Sequence, residues 1–178
     1  MLVSGVWASV YTNLNPPWDR VLHLTVPKVL DYLAGSGQGK TFLQWGEENR
    51  LYFITGQPAP TRDSDVSLLF SRSPLAQPAQ ARFLSDLQSA RPTLILDTRG
   101  ENYPLIMPAA GQCSSLDDPA FIRDWLTKDQ KVRYRYTEKP LPVVPDGMIS
   151  IYKWVCANYE FAGTMGQGQW NIYRFKAH

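Results

Sequence analysis

The run Phe42 to Trp45 is short, apolar and stopped by Gly46. By length and flanks it reads as a strand buried on both faces. Two acids follow, Glu47 and Glu48, then a compact aromatic-aliphatic turn from Leu51 to Ile54 and an exit through Gly56, Pro58 and Arg62. Thr41 to Arg62 therefore reads as strand, turn, helix and loop. A second short run, Thr93 to Leu96, repeats the theme behind Pro92. Each run is preceded by a helical pattern. Val26, Val29, Leu30 and Leu33 recur at i, i+3, i+4 and i+7 behind Thr25 and Pro27, before Gly35, Gly37 and Gly39 end that helix. Phe83, Leu84 and Leu87 mark a helix that begins near Pro78 and stops at Pro92. Strands 41–45 and 93–97 are expected side by side as the central strands of one sheet.

Further along, Val66, Leu68, Leu69 and Phe70 are expected to cover a sheet edge, and Asp97 to Ser115 to form a long loop. Asp118 caps a third helix with Pro119 in its first turn and Phe121, Ile122, Trp125 and Leu126 inward. Val132 to Thr137 alternates as a half-exposed strand, and a proline-rich loop follows from Lys139 to Gly147. Met148 to Val155 and Trp170 to Lys176 read as two strands of an antiparallel hairpin joined through the Gly-rich 162–168 segment. The resulting expectation is an α/β chain: a three-layer α/β/α, Rossmann-like mixed sheet with a C-terminal antiparallel hairpin.

At 178 residues the chain suits one domain, long enough to bury roughly 70% of its unfolded surface. Residues 19–178 are read as that single domain. Residues 1–18 are read as a leading apolar segment and linker: Leu2 to Tyr11 is either a buried first element or the end of a membrane helix, and Pro16-Pro17 breaks it from the rest. No apolar stretch reaches the length of a bilayer span. A net charge of +2 with scattered basic residues is no footprint for a phosphate backbone, so nucleic acid is not an expected partner. Charged residues at 19% favour a non-cytosolic compartment weakly. Six Trp and nine Tyr fill a core or face a sugar or membrane.

Candidate chemistry is sparse. Ala34 to Thr41 satisfies a relaxed phosphate-loop pattern, but its glycines follow a helix and precede a strand. A working phosphate loop has the reverse order, so nucleotide binding is not expected. His23 and His178 are the only histidines, which leaves no Ser-His-Asp array and no His-rich metal site. Glu47, Glu48 and Asp97 follow strand ends, where ligand crevices form in open α/β sheets. Acid–base or metal chemistry is one reading of them; favourable placement of Glu47 and Glu48 in a helix's first turn is the simpler one. Arg62, Arg72, Arg91 and Arg99 sit near the same loops, as phosphate ligands or as solvated surface charges. The candidate ligand contacts are Trp45, Glu47, Glu48, Arg62, Asp97 and Arg99; no catalytic residue, metal or cofactor is expected. Cys113 and Cys156, the only cysteines, form no CxxC. They are a disulfide in an oxidising compartment and buried thiols in a reducing one.

Trp45-Gly46, Tyr52-Phe53, Thr55-Gly56 and Pro58 to Arg62, with Asp86-Leu87, Arg91-Pro92 and Leu94 to Asp97, together resemble the soluble, extracytoplasmic C-terminal domains of GT-C-type membrane glycosyltransferases. The likeness covers about half the chain and departs from the pattern after residue 100. It implies a non-catalytic accessory domain on the extracytoplasmic (periplasmic) face of a membrane. Its partners would be the membrane portion of the same polypeptide and a glycan or lipid-linked sugar, the catalytic acids lying on loops between membrane helices. A small stand-alone enzyme, or a binding module for a sugar or phosphorylated ligand, is the alternative.

Overall fold

A computed structural model of the chain describes residues 28–33, 41–46, 50–64, 66–71, 73–98, 103–128, 144–165 and 170–176. Residues 28–33 are helical (α1). Then come β1 (Phe42–Trp45), α2 (Arg50–Thr55), a 3-10 turn (Val66–Phe70) and α3 (Ala76–Ala90). They are followed by β2 (Leu94–Asp97), a second 3-10 turn (Cys113–Asp117), α4 (Pro119–Lys128), α5 (Asp146–Asn158), β3 (Tyr159–Met165) and β4 (Trp170–Phe175).

The strands form one mixed sheet in the order β1-β2-β4-β3. The two short apolar runs are parallel neighbours, with Phe42 opposite Leu94 and Trp45 opposite Asp97. All residues of both are buried, which is why neither shows a polar alternation. β4 runs antiparallel to β2, placing Asn171 opposite Asp97, and antiparallel to β3.

Side chains leave the strands alternately and feed a core on each face. One core gathers Leu43, Trp45, Ile95 and Tyr173 with Phe83 and Leu87 of α3 and Met148, Ile151, Tyr152 and Val155 of α5. The other gathers Phe42, Leu94, Leu96, Trp170 and Ile172 with Val29 and Leu33 of α1 and Leu51 of α2.

Local signals act as the residues suggest. Gly56, at φ +65°, takes the left-handed conformation just past α2. Arg91 does so at the end of α3, at φ 43°, its N–H returning to the Leu87 carbonyl before Pro92 bars continuation. The Asp118 carboxylate accepts the Ala120 N–H and opens α4. Val66 and Leu69 are buried within a 3-10 turn.

The main correction concerns Met148 to Val155. This segment is helix, not strand: its buried residues Met148, Ile151, Tyr152, Val155 and Cys156 recur at i, i+3, i+4, i+7 and i+8. β-branched and aromatic composition pointed to a strand, but a single apolar face against the sheet and α3 required the helical period. A C-terminal hairpin exists, with its first strand at Tyr159–Met165, between the two segments read as its strands and overlapping the 162–168 segment read as their link. A register shift between Phe161 and Gly163, the latter at φ +141°, lets a glycine-bearing strand stay paired.

The long 97–115 loop is shortened by the 3-10 turn at Cys113–Asp117 and sends Leu105 and Ile106 into the core. The strand read at 132–137, the domain boundary at residue 18 and the Gly-rich turn at 35–39 lie outside the described residues. The flanks of that turn are nevertheless helix before and strand after. No helix among the described residues is long and apolar enough to cross a membrane.

Candidate functional site

The carboxyl ends of β1 and β2 bring Trp45 and Asp97 together on one face of the sheet. Trp45 is 0% exposed. Its ring meets Phe83 edge-on at 6.1 Å and Phe70 at 6.5 Å, with Tyr152 tilted against it at 6.0 Å. Its Nε1–H donates to the Tyr103 carbonyl at 2.8 Å. The indole is thus the centre of a core rather than a stacking platform for a ligand.

Asp97 is 3% exposed, and its Oδ2 accepts the Asn171 amide at 3.2 Å. That amide also reaches the Tyr173 hydroxyl, at 3.4 Å. Nearby, the buried Tyr152 O–H donates to the Pro104 carbonyl at 2.6 Å. Asp97 is thus the last paired residue of β2 rather than a residue following it, and it sits inside a tyrosine-rich polar cluster.

Arg62 goes elsewhere. Its Nε and Nη2 donate to both Asp86 carboxylate oxygens on α3, and its backbone N–H adds a third bond. The pair lowers the Asp86 carboxyl and raises the Arg62 guanidinium through those hydrogen bonds. Arg62 is 66% exposed, so this ion pair pins the exit loop to α3 and adds little stability. Arg91 caps α3, whereas Glu47, Glu48, Arg72 and Arg99 lie outside the described residues. Among the described residues, no group of three His, Cys, Asp or Glu side chains is placed to hold a metal ion.

Sequence reasoning passed over the opposite face of the same strand ends. Gln44 is the one polar side chain in the run Phe-Leu-Gln-Trp, and that interruption is the available signal. It is wholly buried, and neither its Oε1 nor its Nε2 meets a hydrogen-bond partner among the described residues. Its backbone N–H, on the edge of β1 that pairs with no strand among the described residues, donates to the Tyr52 hydroxyl at 2.8 Å. Tyr52 lies flat on Phe42, centroids 5.0 Å apart, and so covers a strand edge that would otherwise invite pairing.

Gly46 follows at φ +119°, and a Cβ there would collide with Thr98 Oγ1. That hydroxyl and the Thr98 N–H both donate to the Trp45 carbonyl at 3.0 Å, so they hold β2's continuation against the glycine.

A disulfide joins Cys113 of the 3-10 turn to Cys156 near the end of α5, with Cα atoms 5.8 Å apart. Its landing point is a helical turn, where a strand end had been expected. Beside it Lys153 pairs with Asp117, and Lys176 Nζ donates to the Cys156 and Ala157 carbonyls at 2.9 and 2.8 Å, satisfying the helix end.

Two buried tyrosines, Tyr152 and Tyr159, and the half-buried Tyr52 set an alkaline limit. Burial pushes the Tyr52 hydroxyl up to about 12, against the lowering bond from Gln44. It raises Tyr159, and it raises Tyr152 well above the ordinary value, with the Asp97 charge adding to the effect. Unfolded tyrosines ionise near pH 10, before these do, so the unfolded state loses protons first. Their stabilising contribution is complete below about pH 10 and is lost as pH rises through the folded values. The urea midpoint is expected to fall progressively above about pH 10, and less steeply in Tyr152→Phe. A midpoint unchanged to about pH 11 would contradict the burial of these hydroxyls.

Comparison with protein families, curated proteins and solved structures finds no match to this chain.

Proposed function

We propose that this chain is the extracytoplasmic, non-catalytic accessory domain of a membrane glycosyltransferase acting on lipid-linked sugars. In this reading its sheet and helices are a three-layer α/β/α, Rossmann-like domain that packs over the membrane portion of the same polypeptide and shapes acceptor access. The observation that carries the compartment is the Cys113–Cys156 disulfide, a bond that persists in oxidising spaces and is rare in the cytosol. The course of Thr41 to Arg62 supports the family reading. Strand Phe42–Trp45 stops at Gly46, helix Arg50–Thr55 carries Tyr52 and Phe53, Gly56 closes it, and the Arg62 loop is pinned to Asp86.

Two measurements test the proposal. The purified chain, incubated with polyprenyl-phosphate sugars and candidate acceptors, is expected to transfer no sugar. The native protein, followed with an antibody raised against this chain, is expected to remain in carbonate-washed membranes with both cysteines oxidised. Turnover by the chain alone, or recovery of the native protein from the cytosol with free thiols, overturns the reading.

A further inference from the structure

We propose that the Gln44 side-chain amide, at the carboxyl ends of β1 and β2, is the recognition group of a binding site for a neutral sugar ring and grips two vicinal hydroxyls. The inference goes beyond the accessory-domain reading and does not depend on it.

The first support is the amide itself. Gln44 is fully buried with both its donor and its acceptor unused among the described residues. Native interiors pair nearly all such groups, and a leucine would occupy a similar volume without the penalty. A residue that breaks this rule at a site of special backbone geometry is the pattern expected where function overrides packing.

The second support is position. Gln44 is one residue before the strand ends at Trp45, on the side of the open α/β sheet where ligand crevices form. Its Nε2 lies 3.9 Å from the point a Cβ of Gly46 would occupy, so the amide adjoins bare backbone. The Thr98 hydroxyl stands at the same spot.

The third support is chemical fit. A planar amide presents one donor edge and one acceptor edge side by side and carries no charge. Its natural counterpart is a neutral pair of adjacent groups that donate and accept in turn, as vicinal hydroxyls do. On this face the half-buried Tyr52 ring borders the amide and suits the C–H face of a sugar ring, while Phe42 beneath it and Leu96 are themselves buried in the core.

The test uses the whole 178-residue chain labelled with nitrogen-15. The Gln44 side-chain NH2 pair is assigned by its loss in Gln44→Leu. Methyl α-glucopyranoside and methyl α-mannopyranoside are titrated to about 50 mM, above the millimolar Kd expected of a small polar contact. Tetrahydropyran, the ring without hydroxyls, and propionamide are titrated alongside.

Because the amide is buried in the free chain, ligand must enter through a local opening, so slow or intermediate exchange is expected. Saturable displacement of the pair by a pyranoside, with no response to tetrahydropyran, is the expected result. An unmoved pair, an equal response to tetrahydropyran, or a response to propionamide alone overturns the proposal.

Thermal melting provides the second readout. Gln44→Leu is expected to melt roughly 2–10 °C higher than the parent and to lose any pyranoside-induced shift. A lower melting temperature would show that the amide is already satisfied in the free chain, and would also overturn the proposal. Should Gln44→Leu fail to fold, Gln44→Met repeats the comparison with similar length and no hydrogen-bonding head.

Discussion

Trp45→Ala is expected to cost about 4–5 kcal/mol, most of the stability an ordinary domain possesses. The indole is fully buried between Phe83, Phe70 and Tyr152, so truncation opens a large cavity at the junction of β1, α3 and α5. It also removes the indole N–H donor from the Tyr103 carbonyl. Trp45→Phe, which keeps an aromatic ring but loses the N–H, is expected to cost about half as much. Urea unfolding followed by far-ultraviolet circular dichroism measures both. A cost below about 1 kcal/mol for Trp45→Ala would mean the ring faces solvent or a ligand rather than the core.

The second large effect belongs to the disulfide. Cys113 and Cys156 are separated by 43 residues, and closing a loop of that size in the unfolded chain is worth about 4 kcal/mol in the chain-entropy account. The double variant Cys113→Ala/Cys156→Ala is expected to lose that amount, a fall in Tm of roughly 8–16 °C for a chain of this length. Its urea m-value should rise, because the uncrosslinked unfolded state exposes more surface. The elements joined by the bond are themselves well packed, with Leu116 on one side and Ile151, Tyr152 and Val155 on the other. The variant should therefore stay folded at room temperature. An unchanged melting temperature would indicate that the bond does not form.

Much of the central sheet was legible from the chain. Phe42–Trp45 and Leu94–Asp97 are too short and too apolar to be anything but doubly buried strands, and the helical pattern ahead of each implied their parallel neighbourhood. α3 and α4 announced themselves through period and caps: Phe83 and Leu87 inward on one, Asp118 before Pro119 on the other. The last third was misread because Met148 to Val155 contains residues that favour strands locally. Only the demand to bury Met148, Ile151, Tyr152 and Val155 on one face against α3 and the sheet selects the helix. The hairpin then had to begin later, at Tyr159, in glycine-containing sequence whose strand character comes from pairing with β4 rather than from propensity.

At the strand ends, the chain by itself determined which residues arrive together. A strand's period and direction place Trp45 and Asp97 at its carboxyl end whatever surrounds them. What those residues do there was decided by tertiary structure. The aromatic residues of α3, α5 and the 3-10 turn enclose Trp45, so a side chain suited to stacking on a ligand became the centre of a core. Asp97 acquired Asn171 only because β4 returns antiparallel beside β2. Gln44 is the reverse case: nothing local marks a glutamine as unsatisfied. Its significance arises because packing on both faces of the sheet removes water from β1 while supplying its amide no partner among the described residues. Local pattern sets which way a side chain points, and it does so with short-range geometry alone. Burial and pairing depend on segments distant in sequence, and those only the folded chain brings into contact.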